Sequence, residues 1–170
     1  MLVNNETYVL YPDAPSPEWR VLTGPVGTSE QEGAYMTHVP ALGLMLLAQD
    51  SDQGDPPTTL GLYVMRTGSD VWERLPTDRE IPDEWARHRL LWDAGACRLI
   101  AWGGGCHGGM WSFDVFASPV GVTEVELRAA PEPRYAPNLV FDSLRRRLIL
   151  HGGYDCEIRH YYETVYALKL

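Results

Sequence analysis

The chain has 170 residues and a mass of 19.1 kDa, with 45% hydrophobic and 22% charged residues and a formal charge of −9. That apolar fraction excludes an intrinsically disordered acidic chain, and the length suits a single domain, residues 1–170, with a core of its own. One lysine stands among thirteen arginines, and the acidic balance argues against nucleic acid, which needs a Lys/Arg stripe to meet its phosphates.

At the N-terminus no cationic stretch precedes an apolar one, so no signal peptide is expected. The longest apolar run, Ala41 to Ala48, falls far short of the roughly 20 residues of a membrane span. Cys97, Cys106 and Cys156 then read as reduced thiols, and a cytoplasmic location without membrane contact is the expectation. Sixteen glycines and thirteen prolines break the chain into short runs rich in Val, Leu, Tyr, Phe and Trp, the composition of strands. In chain order these runs predict strands at 7–11 and 19–22, then at 34–39, 43–48, 60–65 and 71–75. A second set follows at 89–92, 98–102, 111–116 and 122–127, and a third at 138–141, 147–151 and 161–168. Helical periodicity is weak, and its best stretch, Ile81 to Leu91, is interrupted by Pro82. The fold class read from this pattern is all-β.

The runs repeat. Arg98-Leu-Ile-Ala-Trp-Gly-Gly104 matches Arg147-Leu-Ile-Leu-His-Gly-Gly153 at an offset of 49, which also superposes Asp93 on Asp142. An offset of 53 places Trp19 on Trp72 and Ala41 on Ala94. A period near 50 residues built of short strands is a propeller signature. These residues resemble the Kelch repeats of β-propellers, in which a second strand ends in Gly-Gly and a later one carries Trp. The double glycine stands at Gly103-Gly104 and Gly152-Gly153, and the late Trp at Trp19 and Trp72. The first repeat has Asp50-Ser51 where the glycines would fall, and the second has Glu124 or Val125 in place of the Trp.

The resemblance implies about three four-stranded blades, at 34–76, 87–128 and 134–170, the last without its fourth strand. Three blades do not close a ring, since propellers have about four to eight. A homodimer is therefore expected, completing a six-bladed propeller by strand exchange, residues 1–22 of each chain supplying the closing strand of the other. Residues 7–11, a further strand, are not required by that count.

Candidate site residues fall at the rims and the channel mouth. The resemblance places Arg87 and Arg134, each before a first inner strand, toward the channel, where an Arg fork recognises a carboxylate. Structural ion pairs between blades are the competing role for both. His88 lies beside Arg87, and Trp85, Tyr154 and Arg159 sit in loops as interface anchors. Cys106, His107, Cys156 and His160 form a Cys₂His₂ set by residue type, but without the local spacing of a zinc knuckle. Gly103-Gly-Gly-Cys-His-Gly-Gly109 lacks the Lys-Ser/Thr of a phosphate loop, and no Gly-x-Ser-x-Gly occurs. The first functional reading is thus a non-catalytic module that binds a protein or peptide through its loop rims, with no cofactor. The alternatives are a carbohydrate-binding protein or sialic-acid-epimerase-like enzyme, with Arg87, Arg134 and His88 or His151 around an acidic sugar, and a metal-binding protein.

Overall fold

The computed structural model describes residues 6–12, 15–23, 35–50, 59–82, 89–103, 109–155 and 160–170. Strands β1 (Glu6–Tyr11) and β2 (Glu18–Thr23) pair with each other along their whole length as a hairpin. Sheet 1 runs β3 (Tyr35–Val39), β4 (Leu44–Asp50), β5 (Thr59–Arg66), β6 (Glu73–Leu75), and the short β7 (Ile81–Pro82) also pairs with β5. Sheet 2 is β8 (Arg89–Asp93), β9 (Arg98–Trp102), β10 (Met110–Asp114) and β11 (Gly121–Glu124). Sheet 3 is β12 (Asn138–Asp142), β13 (Arg147–His151) and β14 (Val165–Lys169). Every ladder is antiparallel. The protein is all-β; the one helical turn among the described residues is the 3₁₀ turn Pro40–Leu42, and none of their helices is long and apolar enough to cross a membrane.

The turns between first and second strands share one chemistry. Gly43, Cys97 and Arg146 each take a left-handed φ of 50–61° as the chain reverses. Asp93 Oδ1 accepts the Gly95 and Ala96 N–H groups, and Asp142 Oδ1 accepts that of Arg145, so each aspartate closes its own turn. The left-handed residues set the repeat register. Gly43 answers Cys97 at an offset of 54, one residue more than the sequence comparison gives, and the offset holds on both sides of the turn because four residues separate Val39 from Leu44 and Asp93 from Arg98.

Registers then identify which residues are equivalent. Trp72 stands one step beyond the Val64–Glu73 pair, opposite Met65, whereas Val122 pairs with Phe113. Met65 pairs with Met45 and Phe113 with Leu99, each two residues past the left-handed turn residue. Val122, not Glu124 or Val125, therefore occupies the Trp72 position in sheet 2. Both are buried.

The four units stack face on face in chain order. One face of sheet 1 (Leu46, Leu62, Val64) packs on Leu90, Leu99, Ala101, Phe113 and Val122 of sheet 2. The opposite face of sheet 2 (Ile100, Met110, Trp102) packs on Leu148 and Leu150 of sheet 3. Alternation along each strand supplies both faces, so every interior strand reads as nearly continuous apolar sequence. On its other side sheet 1 meets the hairpin, where Trp72 Nε1 donates to Thr7 Oγ1 at 3.1 Å. The closest backbone approaches between sheets join β3 to β8 and β8 to β12, the first strands of successive sheets.

Candidate functional site

The stack has two chemically different ends. At one end lie the tight turns. Asp93, 0% exposed, receives Arg146 of sheet 3 bidentately, Nη1 to Oδ1 at 2.6 Å and Nη2 to Oδ2 at 3.1 Å, with Arg98 Nε 3.5 Å from Oδ2. Burial alone would raise this carboxyl, but the Arg146 hydrogen bond, the Ala96 N–H and the charges of Arg146 and Arg98 outweigh it and hold the pKa below the ordinary value. This end is a lock between sheets 2 and 3. Its carboxylate is consumed by Arg146 and the turn N–H groups, while the buried Arg98 Nε adds its charge without a hydrogen bond.

The other end is where first strands begin and second strands finish. Tyr35, Arg89 and Asn138 open β3, β8 and β12 and are equivalent by register. The Arg89 guanidinium lies 4.5 Å from the centre of the Tyr35 ring, and its Nε donates to the Pro137 carbonyl at 2.9 Å. Sheets 1, 2 and 3 thus meet at a single arginine, and among the described residues its two terminal nitrogens take no hydrogen-bond partner. An arginine fixed by its Nε and ring face, with its fork unspent, is preorganised for a carboxylate.

Where β12 begins and β13 ends runs an aromatic row. Tyr135 and Tyr154 form backbone bridges and stack at 5.3 Å, and Tyr154 meets Tyr161 at 5.9 Å, the last with its ring largely in water. Gly152 and Gly153 make the bend that brings Tyr154 there, with φ of 70° and 89°. A Cβ on Gly153 would sit 2.7 Å from the Tyr135 carbonyl oxygen, which is why this position takes glycine.

Next to Trp102, the register partner of Arg89, a cleft of about 450 Å³ opens between sheet 2 and the segment 125–134 that follows it. Glu124, Glu126 and Glu132 line it, with Gly109 and Arg134. Arg134 itself is 1% exposed and fully occupied. Nε and Nη2 donate to the Glu132 carbonyl and carboxylate, Nη1 donates to Gly152 O, and the guanidinium lies 4.0 Å from the Tyr162 ring centre. Glu132 is held below the usual carboxylate range by its own backbone N–H and by the Tyr166 hydroxyl, with Arg134 adding its charge. Tyr162 is pushed up by burial and by the Asp155 carboxylate its hydroxyl contacts.

Of the residues singled out from sequence, Arg134 is thus buried in an ion pair within sheet 3's approach, and Tyr154 joins the aromatic row. His160 is exposed and packs edge-on against Tyr162 at 5.5 Å, and His151 is exposed opposite Asn138. Trp85, Arg87, His88, Cys106, His107, Cys156 and Arg159 lie outside the described residues. Among the described residues no group of three His, Cys, Asp or Glu side chains is placed to hold a metal ion. Arg89, Tyr35 and the Asp93–Arg146 lock were not singled out. The first needed the repeat register at the start of the inner strands, and the last needed the knowledge that equivalent turns face each other across sheets.

No protein-family model matches the chain, and no curated protein matches it in sequence.

Proposed function

We propose that the sheets are blades of a β-propeller-like stack, and that the chain is a non-catalytic module binding a protein or peptide segment at the Arg89 end. The observation that carries this reading is the Arg89 fork, which takes no hydrogen-bond partner among the described residues and is held by Tyr35 and Pro137, with the acidic cleft beginning at its register partner Trp102. Exposed aromatic and arginine groups are the usual energetic anchors of interfaces. The segment that fits combines one carboxylate, for Arg89, with cationic side chains for Glu124, Glu126 and Glu132. The net charge of −9 draws such a segment in.

The test is fluorescence anisotropy with a panel of labelled Lys/Arg-rich peptides, each carrying its free C-terminal carboxylate or an amide in its place. Free-acid peptides should bind more tightly, by about tenfold for one charge-assisted contact, and Arg89→Ala should abolish that preference. Equal binding of acid and amide forms by the unaltered protein would contradict the proposal. A second reading, binding of an acidic sugar, draws on the same arginine and on exposed His151 across from Asn138. Thermal shift with sialic and uronic acids separates the two, because a bound ligand raises the melting temperature.

A further inference from the structure

Both ends of the stack present exposed apolar side chains on a sheet face, on sheet 3 in the company of Arg147, His151 and Lys169. On the hairpin, Tyr8, Leu10, Trp19 and Val21 share one face through the pairs Tyr8–Val21 and Leu10–Trp19, and all four are exposed, Trp19 at 65%. On sheet 3, Val140 pairs with Ile149 on the outer face, and Val165, opposite His151, is 64% exposed.

These two faces are not the same kind of surface. The pairing of β1 with β2 repeats that of β5 with β6, so Tyr8, Leu10 and Trp19 answer Tyr63, Met65 and Trp72, and in sheet 2 Trp111, Phe113 and Val122. In sheets 1 and 2 those positions always pack against the preceding unit in the chain. By the same registers Ile149 and Val165 answer Ile100 and Met110, and Leu46 and Leu62, which always pack against the following unit. Among the described residues the hairpin is thus the first unit, with a face of the kind that packs on a predecessor, and sheet 3 is the last, with a face of the kind that packs on a successor.

We infer that each is the other's partner across two copies of the chain: the outer face of the hairpin of one copy stacks on the outer face of sheet 3 of a second, and the reciprocal contact closes the pair into a ring. The proposed contact continues the two sheet-to-sheet interfaces already present within the chain, using the same register positions. Charge favours the same head-to-tail order. Residues 6–23 of the hairpin carry three acids and one arginine, net −2, whereas residues 138–170 carry five cations and four acids, net +1. One copy does not join its own ends: within the single chain Trp19 of the hairpin and Val165 of sheet 3 both stay exposed. The junction is drawn face on face because the register positions of the two faces are those that stack sheet on sheet within the chain. A head-to-tail contact closes only if the rotations sum to a full turn, which here two copies must supply.

Light scattering after gel filtration, with native mass spectrometry, tests this. The expected mass is twice 19.1 kDa. Trp19→Glu and Val165→Glu each alter an exposed side chain, so circular dichroism should show both folded, and each should halve the mass. An equimolar mixture of the two variants should recover a two-copy particle, because each contributes the intact half of one junction. That particle should dissociate at a concentration at least tenfold higher than the unaltered pair. A monomeric unaltered protein overturns the inference, as does a dimer that survives Val165→Glu, or masses that climb past two copies with concentration. Failure of the peptide test leaves this inference standing, since it uses neither Arg89 nor the cleft.

Discussion

Removing Arg146 and removing the charge of Asp93 should not cost the same, although both break one ion pair. In Arg146→Ala the Asp93 carboxylate remains fully buried, with Arg98 Nε at 3.5 Å as its nearest cation. Stranding a buried charge in this way costs about 3–5 kcal/mol. In Asp93→Asn the amide oxygen can still accept the Gly95 and Ala96 N–H groups, and the Arg146 side chain, already 38% exposed, turns to water. The loss is then one charge-assisted contact, about 1.5–3 kcal/mol, at the low end because Arg146 rehydrates. Urea unfolding measures the difference. With a slope of about 2 kcal/mol/M, Arg146→Ala should lower the midpoint by roughly 2 M and Asp93→Asn by less than about 1 M. In the double variant no charge is stranded, and its cost should be well below the sum of the two. Equal and small shifts, below about 0.5 kcal/mol each, would refute the lock between sheets 2 and 3.

Acid should weaken the same lock. The folded Asp93 pKa lies below its unfolded value, so its contribution is present above about pH 4 and is lost as pH falls through the folded pKa. Unfolding curves from pH 6 to 2 should therefore decline more shallowly for Asp93→Asn than for the unaltered chain. Gly95→Ala would place a Cβ on top of Arg146 Nη1 and should displace the guanidinium, reproducing much of the Arg146→Ala loss in urea. Gly153→Ala meets both a left-handed φ and the Tyr135 carbonyl, and thermal unfolding should show a loss of about 1–3 kcal/mol. Arg89→Ala strips the Nε donor from the carbonyl of buried Pro137 and should cost about 1–3 kcal/mol in urea, less than Arg146→Ala, while removing the preference for free-acid peptides, which anisotropy reads directly.

Much of the strand order was legible because each strand is a short apolar run ended by Gly, Pro or Asp. Residues 98–102 and 147–151 match the structure residue for residue, 7–11 differs from β1 by one residue at its start, and 19–22 from β2 by one residue at each end. The last strand was placed too early, at 161–168 rather than Val165–Lys169, because Tyr161 and Tyr162 have strand composition but serve the aromatic row beside Gly153. The fourth strand of sheet 2 was shifted for a related reason. Without a Trp to mark it, Val122, Val125 and Leu127 were equivalent in sequence, and only pairing with Phe113 selects Val122. Trp19 and Trp72 show the limit of composition most directly. They occupy the same repeat position, yet one is buried and the other is not, because burial depends on whether a neighbouring sheet exists. The site was harder to read than the fold. Arg134 has the sequence context of a channel arginine and is consumed by Glu132 and Gly152, whereas Arg89 resembles an ordinary strand residue until Tyr35 and Pro137 are seen around it.

The division of the stack into a locked end and a binding end is tested most directly by amide NMR during titration with a free-acid peptide that binds. Shifts should concentrate at Tyr35, Arg89, Asn138, Tyr154 and the Glu124–Glu132 cleft, and leave the turns at Asp93 and Asp142 unmoved. Shifts centred on those turns, with the Arg89 end unchanged, would contradict the account.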